Sequence, residues 1–225
     1  MSSLLIAGTD TDVGKTILTV ALAHYWQTYR AESPLGLLKL MQTGIGDRET
    51  YESLFKDCSN IEIAVPVQYA APLAPSLSAA KEGKMVDLVP VWQRLCQLQA
   101  EKKFVLAEAL GGLGSPVTDE LTVADLARDW RLPTVLVVPI KLGSLAQTIA
   151  NVALARQSNV NLIGIVLNSL TPESQAQQAD LTPSDLITQF TGIPVLGTLP
   201  YLEFGKTEPW VQAASNLALE PMGLA

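Results

Sequence analysis

The segment of residues 8–16, GTDTDVGKT, restricts most strongly what this chain can fold into. It lies between an apolar run at residues 3–7, SLLIA, and the helix-like run ILTVALAHYW. A glycine-rich turn that joins a strand to a helix points backbone N–H groups and the positive end of the helix dipole at an anion. Lys15 adds a positive charge for the outer phosphates, and the hydroxyl of Thr16 can ligate magnesium. The segment therefore predicts a nucleoside triphosphate site between a strand and a helix.

The spacing within this loop departs from the usual phosphate-binding pattern. Five residues separate Gly8 from Gly14, where the usual pattern has four, and Thr9 stands where a glycine is usual. Asp12 is a phosphate-loop contact or a turn residue, because Asp is common in turns and its charge repels phosphate.

The rest of the chain alternates short apolar runs with segments of helical length. Because the apolar runs are nearly continuous, they are typical of parallel strands that are covered on both faces. The pattern predicts an α/β fold of the P-loop NTPase type, with helices on both faces of a parallel sheet, and one domain over residues 1–225. The predicted strands are 3–7, 35–39, 104–107, 134–139, 161–167 and 195–199. The predicted helices are 15–30, 46–57, 87–102, 120–131, 144–158, 183–191 and 207–219, and 64–76 is predicted to be a long loop.

Polar residues follow these strands at the edge of the sheet where ligands bind in open parallel sheets. Lys39 would place a second ammonium beside the phosphate loop, facing a phosphate or an anionic substrate. Glu108 precedes glycines, of which Gly111 lets the backbone approach a ligand. Magnesium is held by one or two carboxylates and phosphate oxygens, so Thr16 and Glu108 predict a metal site. We assign Asp47 as its second acid and keep Glu49 as the alternative, because their spacing does not separate them.

Asn168 directly follows the fifth predicted strand. Its amide can pair with an adenine edge, or it can form a turn.

Charge and composition restrict the partners of the chain. The formal net charge of −7 and the pI of about 4.7 give no attraction to nucleic acid or to an anionic membrane. The chain shows no signal peptide or apolar stretch that would span a bilayer, so we expect a cytoplasmic protein. A single histidine, His24, and only two cysteines argue against histidine chemistry and against a thiolate metal site.

In their order and spacing, these motifs resemble those of the dethiobiotin synthetases of biotin biosynthesis. The likeness covers residues 3–202 and includes GTDTDVGKT, Lys39 with Thr43-Gly44, Glu108 with Gly111-Gly112, Lys141-Leu142-Gly143, and Asn168. It implies an enzyme that uses ATP and Mg²⁺ to close a ring on 7,8-diaminononanoate and CO₂. In that reaction a carbamate is phosphorylated to a mixed anhydride, and the second amine then displaces phosphate.

The resemblance also implies roles for individual residues and a homodimer with its site near the subunit interface. Lys39 would bind the carbamate and the transferred phosphoryl group, Thr43 the substrate, and Asn168 and Pro200 the adenine. The ATP phosphates would be held by Thr11, Asp12, Val13, Gly14, Lys15 and Thr16, with Mg²⁺ on Thr16 and Glu108.

Three positions depart from the family pattern. Leu40 replaces a proline, Ala109-Leu110 replaces Gly-Ala after Glu108, and Ala146-Gln147 replaces an Asn-His pair near the substrate carboxylate. The last change leaves that carboxylate without its usual partners. The backbone N–H groups of Gly143 and Ser144, at the start of a predicted helix, are its alternative binding site.

Three other interpretations of the sequence compete with a dethiobiotin synthetase. ParA- or MinD-like ATPases carry a lysine five residues before the loop lysine, where this chain has Asp10. Cobyrinate amidotransferases need a glutaminase domain for which 225 residues leave no room. A family member that binds nucleotide without turnover is the third alternative.

Overall fold

The structure of the protein is a computed structural model that describes residues 2–224. Its strands are β1 (Ser3–Gly8), β2 (Leu35–Lys39), β3 (Gln42–Thr43), β4 (Ile61–Ala64), β5 (Gln68–Tyr69), β6 (Phe104–Gly112), β7 (Thr134–Pro139), β8 (Leu162–Asn168) and β9 (Val195–Leu199). Its helices are α1 (Lys15–Tyr29), α2 (Asp47–Phe55), α3 (Pro75–Lys81), α4 (Val89–Glu101), α5 (Val123–Asp129), α6 (Ser144–Gln157), α7 (Pro172–Ala176), α8 (Gln178–Leu181), α9 (Ser184–Thr191) and α10 (Glu208–Ser215). Seven strands form one parallel sheet in the order β4-β2-β6-β1-β7-β8-β9, and β3 pairs with β5.

Both faces of the seven-stranded sheet are buried. On β1, Leu4 and Ile6 join a core with α1 and α10, whereas Leu5 and Ala7 join a second core with α4 and α6. Successive side chains of a strand point to opposite faces, so the strands that are covered on both faces are apolar at most positions. This arrangement explains the continuous apolar runs and confirms the predicted fold class.

The strand order brings two charged residues together beside the phosphate loop. Strand β6 lies between β1 and β2, so β2 is not next to the loop that leaves β1. Lys39 at the end of β2 is in register with Glu108 of β6, and Glu108 is in register with Ile6 of β1. Lys39 therefore reaches the loop region across β6, and Glu108 lies between the two.

The structure corrects several predicted boundaries. Strand β6 continues to Gly112, so Glu108 lies inside the strand rather than after it. Strand β4 was not predicted because it is a short edge strand, and its Glu62 forms an ion pair with Lys102 at 2.5 Å. The predicted long loop at 64–76 contains β5 and the start of α3. Among residues 2–224, no helix is both long and apolar enough to cross a membrane.

Candidate active site

The loop of residues 8–16 ends at helix α1 with an open helix terminus. Gly14 caps the helix in a left-handed conformation, with φ at 97°. Because glycine carries no side-chain acceptor, the first N–H groups of α1 stay available to an anion, and the helix dipole adds positive potential there. A Cβ on Gly14 would lie 1.9 Å from Nδ2 of Asn168, so the contact between the loop and β8 requires glycine.

Lys15 is the first residue of α1 and is 6% exposed. Its Nζ donates to the backbone carbonyl of Asp10 at 2.9 Å. Burial, followed by the charge of Lys39, lowers the pKa of Lys15 to about 8, although the charges of Glu108 and Asp47 oppose this shift. Since its hydrogen-bond acceptor here is a neutral carbonyl, the ammonium has charge to offer an incoming phosphate.

Lys39, Asp47 and Glu108 form a charged cluster beside this loop. Nζ of Lys39 lies 2.5 Å from Oδ2 of Asp47 and 2.8 Å from Oε1 of Glu108. It also donates to the carbonyl of Ala109 at 3.1 Å. The side chains of Lys39 and Glu108 are 5% and 1% exposed. One ammonium thus faces two carboxylates directly, and the ammonium of Lys15 is close enough for their charges to act on it.

The cluster keeps both Lys39 and Asp47 charged. Burial by itself lowers the pKa of Lys39, but the charges of Glu108 and Asp47 outweigh burial and raise that pKa above its ordinary value. Burial by itself raises the pKa of Asp47, but the charge of Lys39 and its hydrogen bond outweigh it and lower that pKa. Both groups are therefore ionised at neutral pH.

Thr16 brings a third oxygen to the two carboxylates. Its Oγ1 lies 2.6 Å from Oδ1 of Asp47 and 3.0 Å from Oε1 of Glu108. The hydroxyl of Thr16 has one proton and can donate it to only one of these carboxylates at a time. The three oxygens therefore lie close together with a single hydroxyl proton between them. Within residues 2–224, no three His, Cys, Asp or Glu side chains gather as metal ligands. A hydroxyl, two carboxylates and phosphate oxygens are nevertheless the set that Mg²⁺ accepts in such loops, so the residues fit this ion.

The structure separates the two acids that the sequence left as alternatives. Asp47 contacts Lys39 and Thr16, whereas Glu49 accepts from the backbone N–H of Gly46 at 2.8 Å and from Nε2 of Gln42 at 3.0 Å. Glu49 thereby caps α2, which begins at Asp47. Only Asp47 of this pair is brought to the cluster.

Two further residues in the cluster were missed from the sequence. Oε2 of Glu108 accepts from Oγ1 of Thr19 at 2.9 Å and from the hydroxyl of Tyr51. Helical spacing carried the signal: Thr19 follows Lys15 by four residues, and Tyr51 follows Asp47 by four, so each lies one turn away on the same helix face.

A cleft of about 740 Å³ opens above the cluster. Ten of the candidate residues line it, which means that one cavity gathers the loop, both lysines and both acids. These residues are Thr11, Asp12, Gly14, Lys15, Thr16, Lys39, Thr43, Asp47, Glu108 and Gly111. Val13, Asn168, Pro200, Gly143 and Ser144 are outside this lining.

Asn168 is buried against the phosphate loop. Its Nδ2 donates to the carbonyl of Val13 at 3.0 Å, whereas its Oδ1 has no hydrogen-bond partner among residues 2–224. The amide thus holds the loop with one N–H and keeps its acceptor free. Pro200 directly follows β9, whose Leu199 is in register with Asn168.

Gly143 and Ser144 start helix α6 after strand β7. Gly143 is exposed and caps the helix with φ at 90°, and Ser144 is buried. Neither residue lines the cleft that contains Lys39.

Comparison with known proteins gives consistent matches over nearly all of the chain. A family model described as an AAA domain matches residues 2–206. An "ATP-dependent dethiobiotin synthetase" from Gloeothece citriformis is 57% identical over 223 residues, which cover 99% of both chains. A protein with the same name from Crocosphaera subtropica is 55% identical over 98% of this chain and 99% of its own.

Solved structures share the fold at low sequence identity. A ParA family ATPase from Chlorobium tepidum superposes with a TM-score of 0.57 and 13% identity, covering 99% of this chain and 93% of that one. At that identity the match shows a shared P-loop fold alone.

Proposed function

The chain belongs to the dethiobiotin synthetase family, and from this premise we propose that it forms dethiobiotin from 7,8-diaminononanoate, CO₂ and ATP. The observation that carries the proposal is the second buried lysine: Lys39 shares one cleft with the loop lysine, Lys15. A carbamate that attacks a phosphoryl group brings two anions together. Two unit charges 4 Å apart interact by about 4 kcal/mol at an effective dielectric constant of about 20. A second ammonium at this position would offset the repulsion between the two anions.

The cleft supports the following assignment of roles. Lys15 and the N–H groups of residues 11–16 bind the ATP phosphates, and Gly111 faces them across the cleft. Thr16, Asp47 and Glu108 hold Mg²⁺, which neutralises phosphate charge when it is bound. Lys39 gives up its carboxylate partners and turns to the carbamate and the transferred phosphoryl group.

The remaining candidate residues bind the substrate and the adenine of ATP. Thr43 lines the cleft and binds the substrate, while Asn168 and Pro200 lie beside the adenine. Oδ1 of Asn168 is suited to accept from the exocyclic amine of the base, because its Nδ2 is engaged by the loop. No side chain acts as a nucleophile in this scheme. The chain contributes charge and orientation, which suffice for an amine and a mixed anhydride held at reacting distance.

We also propose that the protein acts as a homodimer in the cytoplasm, with small molecules rather than nucleic acid or membrane as partners. The position of Gly143 and Ser144 supports a dimer, since their helix terminus is outside the cleft of its own chain. In a dimer it would bind the substrate carboxylate at the cleft of the second copy. Ile45 at the cleft and Leu142 beside Gly143 are 89% and 87% exposed, and such an interface would cover them.

The function is tested by incubating the purified protein with diaminononanoate, bicarbonate and MgATP. We expect dethiobiotin and ADP in equal amounts, and no ADP when the diamine is omitted. ADP release that does not depend on the diamine would indicate a ParA-like ATPase. Nucleotide binding without either product would indicate a family member that has lost turnover.

The low pKa of Lys15 predicts proton uptake when the nucleotide binds. With a pKa of about 8, roughly three quarters of the free protein carries a neutral Lys15 at pH 8.5, and only about a tenth at pH 7. Bound phosphates favour the ammonium and raise this pKa, so MgATP should draw up to about three quarters of a proton per site at pH 8.5 and about a tenth at pH 7. Calorimetry in two buffers of different ionisation enthalpy measures the uptake. Equal and negligible uptake at both pH values would contradict this environment for Lys15.

A further inference from the structure

The carboxylate of Glu108 is fixed by donors on both of its oxygens. Oε1 is near Lys39 and Thr16, at 2.8 and 3.0 Å, on the side where we propose that the cation binds. Oε2 accepts from Thr19 and Tyr51. The terminal torsion of a glutamate side chain is broad, so the donors on Oε2 decide how far the carboxylate rotates and where Oε1 points.

The two donors on Oε2 differ in the proton they can give. Oγ1 of Thr19 lies 2.9 Å from Oε2 of Glu108 but also 3.0 Å from the carbonyl of Lys15, and its single proton is divided between them. The phenol of Tyr51 donates to Oε2 from a ring that is fully buried. Tyr51 is therefore the stronger restraint on the rotation of Glu108.

Tyr51 also ties the second acid to the first. Asp47, Tyr51 and Phe55 follow one another at four-residue intervals along the inner face of α2. Phe55 packs against the ring of His24 at 4.8 Å, which holds the far end of the helix. Near its start, Asp47 enters the cluster and Tyr51 bonds Glu108 of strand β6. The hydroxyl thus joins the helix that carries one acid to the strand that carries the other.

We propose that Tyr51 is a positioning residue that fixes Glu108 and Asp47 in the geometry needed to hold the divalent cation of the nucleotide. The proposal rests on the proposed function only for the identity of that cation. Groups that orient metal ligands change metal affinity by about 10- to 100-fold when they are removed, although they do not touch the ion.

The test is Tyr51→Phe, which keeps the ring and removes the hydroxyl. Binding of Mn²⁺ to the protein with a non-hydrolysable ATP analogue is measured by electron paramagnetic resonance, which needs neither diamine nor turnover. We expect the Mn²⁺ dissociation constant to rise about tenfold. At saturating Mg²⁺, kcat should stay within about threefold of the wild-type value, because the ligands themselves are intact.

The matched control is Tyr69→Phe. Tyr69 is also buried, and its hydroxyl interacts with the backbone of Asp87 rather than with Asp47 or Glu108. If the role of Tyr51 is merely structural, Tyr51→Phe should behave like Tyr69→Phe: the melting temperature falls and the dissociation constant for Mn²⁺ stays unchanged. Unchanged Mn²⁺ binding in folded Tyr51→Phe overturns the proposal.

If Tyr51→Phe does not fold, a crystal structure of the wild type with Mn²⁺ and the ATP analogue is the second test. We expect the hydroxyl of Tyr51 to stay hydrogen-bonded to Oε2 of Glu108 in that complex. A Tyr51 hydroxyl out of hydrogen-bond reach of Glu108 there overturns the proposal. Failure to make dethiobiotin would overturn the proposed function, but it would leave the Mn²⁺ result standing.

Discussion

Replacing Lys39 with Met is expected to slow dethiobiotin formation about 100- to 1,000-fold while MgATP still binds with nearly its original affinity. A charge aimed at a reacting centre is worth that much when it acts mainly in the transition state. Lys15 and the loop N–H groups remain to hold the phosphates. Product formation and MgATP binding are measured on the same preparation, so that the two effects can be separated.

The comparison has to be made at saturating Mg²⁺. Without the ammonium, Asp47 and Glu108 are two carboxylates with no lysine between them, which destabilises the unliganded protein. Lys103→Met is the control, because Lys103 is exposed and precedes the opposite end of β6. Turnover of Lys39→Met within a few-fold of the wild type would contradict the role assigned to Lys39.

Replacing Glu108 with Gln is expected to raise the Mg²⁺ concentration needed for half-maximal activity by about 100-fold. The change preserves the shape of the side chain but removes one of the two negative charges at the cation position. The amide of glutamine also places N–H donors where the carboxylate of Glu108 now accepts hydrogen bonds, so donors would face donors. The residues that donate to this carboxylate are Thr16, Thr19, Lys39 and Tyr51. Stability should fall by about 3 kcal/mol, since a buried ion pair loses one partner.

Glu49→Gln is the control for Glu108→Gln and also tests the assignment of the second acid. Glu49 caps α2 from the exposed side, and Gln keeps an oxygen that can accept from the N–H of Gly46. The replacement should therefore change stability by no more than about 0.5 kcal/mol and leave the Mg²⁺ titration unchanged. Titrating the activity of both variants with Mg²⁺ shows which of the two acids is a metal ligand. A normal Mg²⁺ requirement in Glu108→Gln, or a strongly raised one in Glu49→Gln, would contradict the proposed ligand set.

The phosphate loop could be predicted from the sequence because its chemistry is local. Turn, charge and hydroxyl all lie within residues 8–16, and the flanking strand and helix follow from the apolar pattern. Lys39 and Glu108 were also found, because the ends of parallel strands converge at one edge of a sheet. Their direct contact was not predicted, since it depends on β6 lying between β1 and β2.

Other parts of the site depend on contacts between segments that are distant in the sequence. Asp47 and Glu49 are two residues apart, and only the direction in which α2 leaves Gly46 decides which acid reaches Lys39. Tyr51 follows Asp47 by one helical turn, but the sequence does not show that its hydroxyl donates to Glu108. Strand β4 was missed because its charged residue, Glu62, is partnered at the sheet edge rather than buried in a core.

The most direct test of the central claim is the position of Nζ of Lys39 in a crystal structure with Mg²⁺, a non-hydrolysable ATP analogue and diaminononanoate carbamate. We predict that Nζ lies within hydrogen-bond distance of both the terminal phosphate and the carbamate, with Nζ of Lys15 on the same phosphate. If Nζ of Lys39 instead remains on Glu108 and Ala109 and contacts neither ligand, the two lysines do not share a reacting centre.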